Sequence, residues 1–122
     1  KLEGLKTIAV TTNGINLTRL LPPLKEAGLN AINISLDTLV PAKFEFIVRR
    51  KGTNLQEYSD LLTNFRCLLY LQVNCVVMRG LNEDELLDFV DFTKDLPLDV
   101  RFIEYMPFDG KYSCLEILHG LE

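Results

Sequence analysis

An α/β fold of parallel βα units is predicted for this chain, and three observations predict it. Four β-branched runs each end in a polar turn, often one with glycine. Thr7-Ile8-Ala9-Val10 leads into Thr11-Thr12-Asn13-Gly14, and Ala31-Ile32-Asn33-Ile34 into Ser35-Leu36-Asp37-Thr38. Val73-Asn74-Cys75-Val76-Val77 leads into Met78-Arg79-Gly80, and Val100-Arg101-Phe102-Ile103-Glu104 into Tyr105-Met106-Pro107-Phe108-Asp109-Gly110. Helix-period stretches with short links separate the runs, which implies right-handed parallel crossovers. The length of 122 residues, 48% of them hydrophobic and 25% charged, fits one globular domain. In a parallel arrangement all four turns share the carboxyl-end rim, where α/β proteins bind small molecules.

The elements follow in order. After the first strand, Leu17, Leu20, Leu21, Leu24 and Ala27 recur at helical spacing and Gly28 supplies a stop. Pro22 and Pro23 lack a backbone donor, so the regular helix is expected to start near Pro22, with Asn16 to Leu21 as a separate turn. A short helix near Ala42 to Arg50 and a longer one near Leu55 to Tyr70 follow the second strand, with Thr53 and Gln56 at capping-box spacing. Asn82 is placed to cap the next helix, and Glu83, Asp84 and Glu85 put negative charge in its first turn. Leu86, Leu87, Phe89 and Val90 are expected to form its buried side, and Asp95-Leu96-Pro97 its end.

Bulk properties narrow the function classes. Seventeen acidic against thirteen basic residues give a net charge of -4, which argues against nucleic acid and anionic membrane as partners. The basic residues Lys43, Arg49, Arg50 and Lys51 read as a solvated face. No run approaches the ~20 apolar residues of a spanning helix, and the first residues lack a signal-peptide layout, so the chain reads as intracellular. Cys67, Cys75 and Cys114 are odd in number and widely spaced, so no disulfide framework and no metal site is expected. Cys67 and Cys75 lie in apolar stretches and read as buried free thiols. Cys114 and His119 receive no role.

About four βα units are present, against eight in a closed barrel. A sheet that stops there leaves backbone groups unpaired at both edges. The chain therefore reads as part of a longer α/β protein.

At the rim turns the sequence resembles a known family. Thr11-Thr12-Asn13-Gly14, Asn33-Ile34-Ser35-Leu36-Asp37, Val76-Val77-Met78-Arg79-Gly80-Leu81-Asn82-Glu83-Asp84-Glu85 and Arg101-Phe102-Ile103-Glu104-Tyr105-Met106 carry the resemblance. In that order and spacing they are similar to the GTP 3',8-cyclases of molybdenum cofactor biosynthesis, which are radical S-adenosylmethionine (SAM) enzymes, and to the vertebrate form in particular. The match runs from about residue 5 to 54 and from 72 to 110. It implies that residues 1–110 form part of a TIM-like radical SAM barrel and that residues 111–122 are a divergent tail.

The resemblance further implies GTP as substrate, SAM as cofactor and two four-iron four-sulfur clusters. It also implies a mitochondrial matrix location. In the family the first cluster reduces SAM to a deoxyadenosyl radical, which abstracts hydrogen from the GTP ribose. Neither set of cluster cysteines is in this chain. The segment is therefore expected to contain no catalytic residue or metal ligand of its own, and to be inactive without the rest of the enzyme.

Residue by residue, the resemblance makes Thr11 a GTP contact, Ser35 a contact to the methionyl end of SAM, and Met106 a contact near the adenine. By chemistry alone Thr11 and Ser35 are turn formers and Met106 is core packing; the matched spacing carries the functional roles. Where the family has a nucleotide-contacting lysine this chain has Gln72, which keeps hydrogen bonding and loses the charge. Arg101 could face the barrel interior and pair with a triphosphate, or form an ion pair with Glu104 or another carboxylate. Arg79, at a rim turn, reads as solvated. Segments 55–71 and 111–122 depart from the family pattern.

Two other classes compete. A non-catalytic nucleotide-binding module is weakened by the absence of G-x-G-x-x-G and of a Walker A lysine. An assembly piece would pair into a homo-oligomer through its open sheet edge.

Overall fold

The computed structural model describes residues 3–49 and 70–106. Strands β1 (Ala9–Thr12), β2 (Ala31–Ser35), β3 (Tyr70–Val77) and β4 (Leu98–Glu104) form one sheet in the order β1-β2-β3-β4, every pair parallel. Helices α1 (Leu17–Glu26), α2 (Pro41–Val48) and α3 (Leu86–Phe92) alternate with them, α3 entered through a 3-10 turn at Glu83–Glu85. This is an α/β sheet of the kind a partial barrel contains.

The register divides the sheet into two chemically distinct faces. Side chains alternate along a strand, so paired residues share a face. Val10, Ile32, Leu71 and Leu98 fall on one face, with Ile34, Val73 and Val100 one step along. They join Leu17 and Leu21 of α1, Phe44 of α2 and Phe89 of α3 in one core cluster with the partly buried flanking residues, so these helices cover the same side of the sheet. The opposite face carries Thr11, Asn33, Gln72 and Asp99 in one row, and Ser35, Asn74 and Arg101 in the next. Parallel strands covered on both faces are near-continuous apolar runs; alternation of this kind marks a sheet with one polar face.

Several expectations need correction. Thr11 and Thr12 belong to β1 rather than its turn, because pairing with Asn33 and Ile34 suits β-branched residues. Helix α1 runs unbroken from Leu17 through both prolines instead of restarting at Pro22. Leu17 and Leu21 are buried on one stripe at 3% and 1% exposure. The prolines and the residues four before them, Thr18 and Arg19, all face solvent, so water can take the carbonyls that lose a donor. Gly28, at φ +89°, ends the helix as expected, with the Gly28 N–H bonded to the Lys25 carbonyl and the Leu29 N–H to that of Leu24.

Tyr70, expected to end a helix, opens β3; the rest of that expected helix, with Thr53 and Gln56, lies outside the described residues. Asn82 makes no side-chain cap, because its amide is used to join two loops. Leu87 and Val90 are 79% and 51% exposed rather than buried: among the described residues the sheet ends at β4 and nothing covers them. α3 closes at Phe92, before the Asp95-Leu96-Pro97 stop.

Candidate functional site

The polar face carries a directed chain of hydrogen bonds across all four strands. The Arg101 guanidinium donates to the Gln72 side-chain oxygen, at 3.0 Å through one Nη. The Gln72 nitrogen donates to Asn33 Oδ1 at 2.9 Å. The amide orientation of Gln72 is assigned so that donors meet acceptors. Asn33 Nδ2 in turn lies 3.5 Å from Thr11 Oγ1, the longest link. The side chains of the four strands are thus linked in sequence, the two bonds of Gln72 being the short ones.

Exposure separates the roles along this row. Gln72 is 3% exposed, whereas Thr11 and Arg101 are open to solvent. Arg101 thus keeps donors available above the sheet while Gln72 holds its root. Strand alternation points Glu104 to the opposite face from Arg101, whereas Asp99, two residues before it, shares the Arg101 face. Asp99, beside Gln72 in register, accepts from the Tyr70 hydroxyl. That bond, followed by burial and the Asp99 charge, raises the Tyr70 pKa, with Arg101 opposing.

Ser35 ends β2 on the same face, exposed, in register with Asn74 and through it with Arg101. Met106 follows the end of β4 and is 71% exposed among the described residues. Ser35 and Met106 therefore lie toward the same carboxyl end of the sheet, with Thr11 and Gln72 deeper on its polar face. The surface offers one guanidinium, the Thr11, Ser35 and Tyr70 hydroxyls, amide groups and the Asp99 carboxylate, with no helix over them among the described residues; the guanidinium suits an anionic group, and the hydroxyls and amides an amino-acid-like one.

A second polar group lies behind the rim and was not legible as such in the sequence. The buried Glu85 carboxylate accepts from the Thr38 hydroxyl at 2.8 Å, the Leu39 N–H at 2.7 Å and the Lys43 ammonium at 3.0 Å. Lys43, expected on a solvated face, also pairs with Asp84 at 3.0 Å. The hydrogen bonds to Glu85 and then Asp84 raise the Lys43 pKa, and Lys43 lowers that of Asp84. Arg49 is exposed, and Arg50 and Lys51 lie outside the described residues. Arg79 is exposed, as expected.

Asp37 accepts from the Val76 N–H at 2.8 Å, yet burial outweighs that bond and raises its pKa. Cys75 is buried on the helix-covered face, 3.8 Å from the Asp37 carbonyl oxygen. Burial, then the charges of Asp37 and Glu85, push its thiol up to about 12. Such a thiol is a poor metal ligand. Among the described residues no three His, Cys, Asp or Glu side chains are grouped to hold a metal ion, so these residues do not fit an iron–sulfur cluster. Cys67, Cys114 and His119 lie outside the described residues. No described helix is long and apolar enough to cross a membrane.

The chain is 68% identical over 114 residues to molybdenum cofactor biosynthesis protein 1 of Mus musculus, covering 89% of this chain and 17% of the relative. It is 56% identical over 114 residues to the Arabidopsis thaliana protein named GTP 3',8-cyclase, mitochondrial, covering 89% of this chain and 28% of that one. Against the GTP 3',8-cyclase of Limosilactobacillus fermentum it is 42% identical over 109 residues, 88% of this chain and 32% of the relative. The chain thus spans less than a third of the length of these relatives. Residues 1–93 match the family model of the radical SAM superfamily, and this chain belongs to that superfamily.

Proposed function

We propose that this chain is a central part of a GTP 3',8-cyclase, contributing one wall of the chamber that holds GTP and SAM in molybdenum cofactor biosynthesis. The observation that carries this reading is the hydrogen-bonded chain of Thr11, Asn33, Gln72 and Arg101 on the sheet face that no described helix covers. Arg101 supplies the charge for a triphosphate, since a guanidinium forks onto phosphate oxygens. Thr11 supplies a hydroxyl to the same nucleotide, and Gln72 acts beside them with a neutral amide where the family resemblance implies a lysine.

The Ser35 hydroxyl and the neighbouring Asn74 amide fit the amine and carboxylate of the methionyl end of SAM. Met106, exposed past β4, offers its thioether and strand-end backbone to the adenine. When bound, SAM would supply, on one-electron reduction by a cluster held elsewhere in the enzyme and with release of methionine, the deoxyadenosyl radical that begins the rearrangement of GTP. The residues described here bind and orient; holding two ligands in register contributes by proximity. The remaining segments of the full-length enzyme are the partners that supply the clusters and the rest of the wall. A mitochondrial location, as in the name of the Arabidopsis relative, belongs to the same reading.

Calorimetry on the full-length protein containing this segment tests the division of labour. Ser35→Ala is expected to weaken SAM by about tenfold, the effect of one lost hydrogen bond, and to leave GTP within about twofold. Thr11→Ala is expected to do the reverse. Loss of neither ligand in either variant would contradict the assignment.

A further inference from the structure

Two neighbouring rim loops are joined by side chains that face no proposed ligand. Loop 36–40 follows β2, and loop 78–85 follows β3. Glu85, 2% exposed, reaches from the second into the first and fills its acceptors with Thr38, Leu39 and Lys43. Asn82, 1% exposed, does the same with its amide. Its oxygen accepts from the Met78 N–H at 2.7 Å, and its nitrogen donates to the Asp37 carbonyl at 2.6 Å and the Val76 carbonyl at 2.8 Å. Thr38, fully buried, accepts from the Val40 N–H as it donates to Glu85.

Burying a carboxylate and an amide is costly unless their hydrogen bonds are made, and here they are. The bonds are also specific in direction, so the two loops have one mutual arrangement rather than a range. Ser35 lies three residues before Thr38, at the root of the braced loop. Ser35 closes β2 in register with Asn74, so a shift of the adjoining loop acts on its hydroxyl through the end of the strand, and errors of an ångström there cost binding and rate steeply.

We propose that Glu85 and Asn82 are positioning residues for the Ser35 end of the cofactor site, locking the loop after β2 to the loop after β3. The inference rests on the reading of Ser35 as a SAM contact. Thr11 and Arg101 lie on β1 and β4, outside the braced loops, so GTP affinity is not set by this lock.

The test uses the full-length protein, with SAM and GTP affinities measured by calorimetry for the parent, Ser35→Ala, Glu85→Ala, Glu85→Gln and Thr38→Val. Glu85→Ala is expected to weaken SAM by about tenfold while GTP stays within about twofold. Glu85→Gln keeps an oxygen for the Leu39 N–H and is expected to recover SAM affinity to within about threefold of the parent. Should Glu85→Ala fail to fold, Thr38→Val removes one donor without a cavity and is expected to show the same selective loss, about threefold. Equal loss of both ligands, or unchanged SAM affinity with Ser35→Ala impaired, would overturn the lock alone. No effect of Ser35→Ala would remove the premise and the proposal with it.

Discussion

The Gln72 amide oxygen accepts from the Arg101 guanidinium on the adjacent strand, and the same amide donates to Asn33 on the other side. A buried neutral residue thus anchors an exposed cation. The position combines a structural bond with control of the local charge, which makes it the informative place to substitute.

Gln72→Lys would set a second cation beside Arg101. Without ligand the pair repels; with a triphosphate both charges find partners. In the full-length protein GTP binding is expected to tighten about tenfold, the equivalent of ~1.4 kcal/mol, and the gain to shrink as salt rises. SAM affinity should stay constant. Equal GTP affinities for the two forms, measured by calorimetry, would mean that position 72 acts only along the sheet.

Asp37 gives a pH signature. Burial raises its folded pKa above the usual 3.8. A raised carboxyl holds its proton more tightly folded than unfolded, so stability is lost as pH rises through the folded value and no penalty exists well below the unfolded one. Asp37→Asn keeps a carbonyl acceptor for the Val76 N–H and removes the charge. The variant is expected to melt above the parent at neutral pH, with the difference vanishing at pH below about 3. A variant less stable at neutral pH would show that the carboxylate is net stabilising there.

Cys75 is expected to resist alkylation in the native protein, since its thiol is 1% exposed and its pKa is pushed up to about 12. Mass-mapped labelling with iodoacetamide at mildly alkaline pH should leave residue 75 unmodified until denaturant is added. Labelling at the rate of a free thiol would contradict the buried position.

The strands and their parallel order were legible because β-branched runs and polar turns repeat with helical stretches between them. The residues of the polar row were individually visible, but their connection was not: Asn33 read as one residue of a strand, and only the register sets it between Thr11 and Gln72. Alternation of Thr11, Asn33, Gln72 and Arg101 with apolar neighbours was the available signal. Glu85 was misread because three consecutive acidic residues suit a helix start, and sequence distance hid Thr38, 47 positions away. Likewise Pro22 and Pro23 argued locally against a helix that the burial of Leu17 and Leu21 holds together.

The most direct measurement is a calorimetric titration of GTP into the full-length protein and its Arg101→Ala variant, with SAM titrated alongside. Arg101 is the described cation that the polar row presents to solvent. Loss of a charge-assisted bond of ~1.5–3 kcal/mol is expected to weaken GTP about 10- to 100-fold, with SAM affinity within about twofold of the parent. Equal GTP affinity in the two proteins would contradict the proposal that this face of the sheet binds the nucleotide.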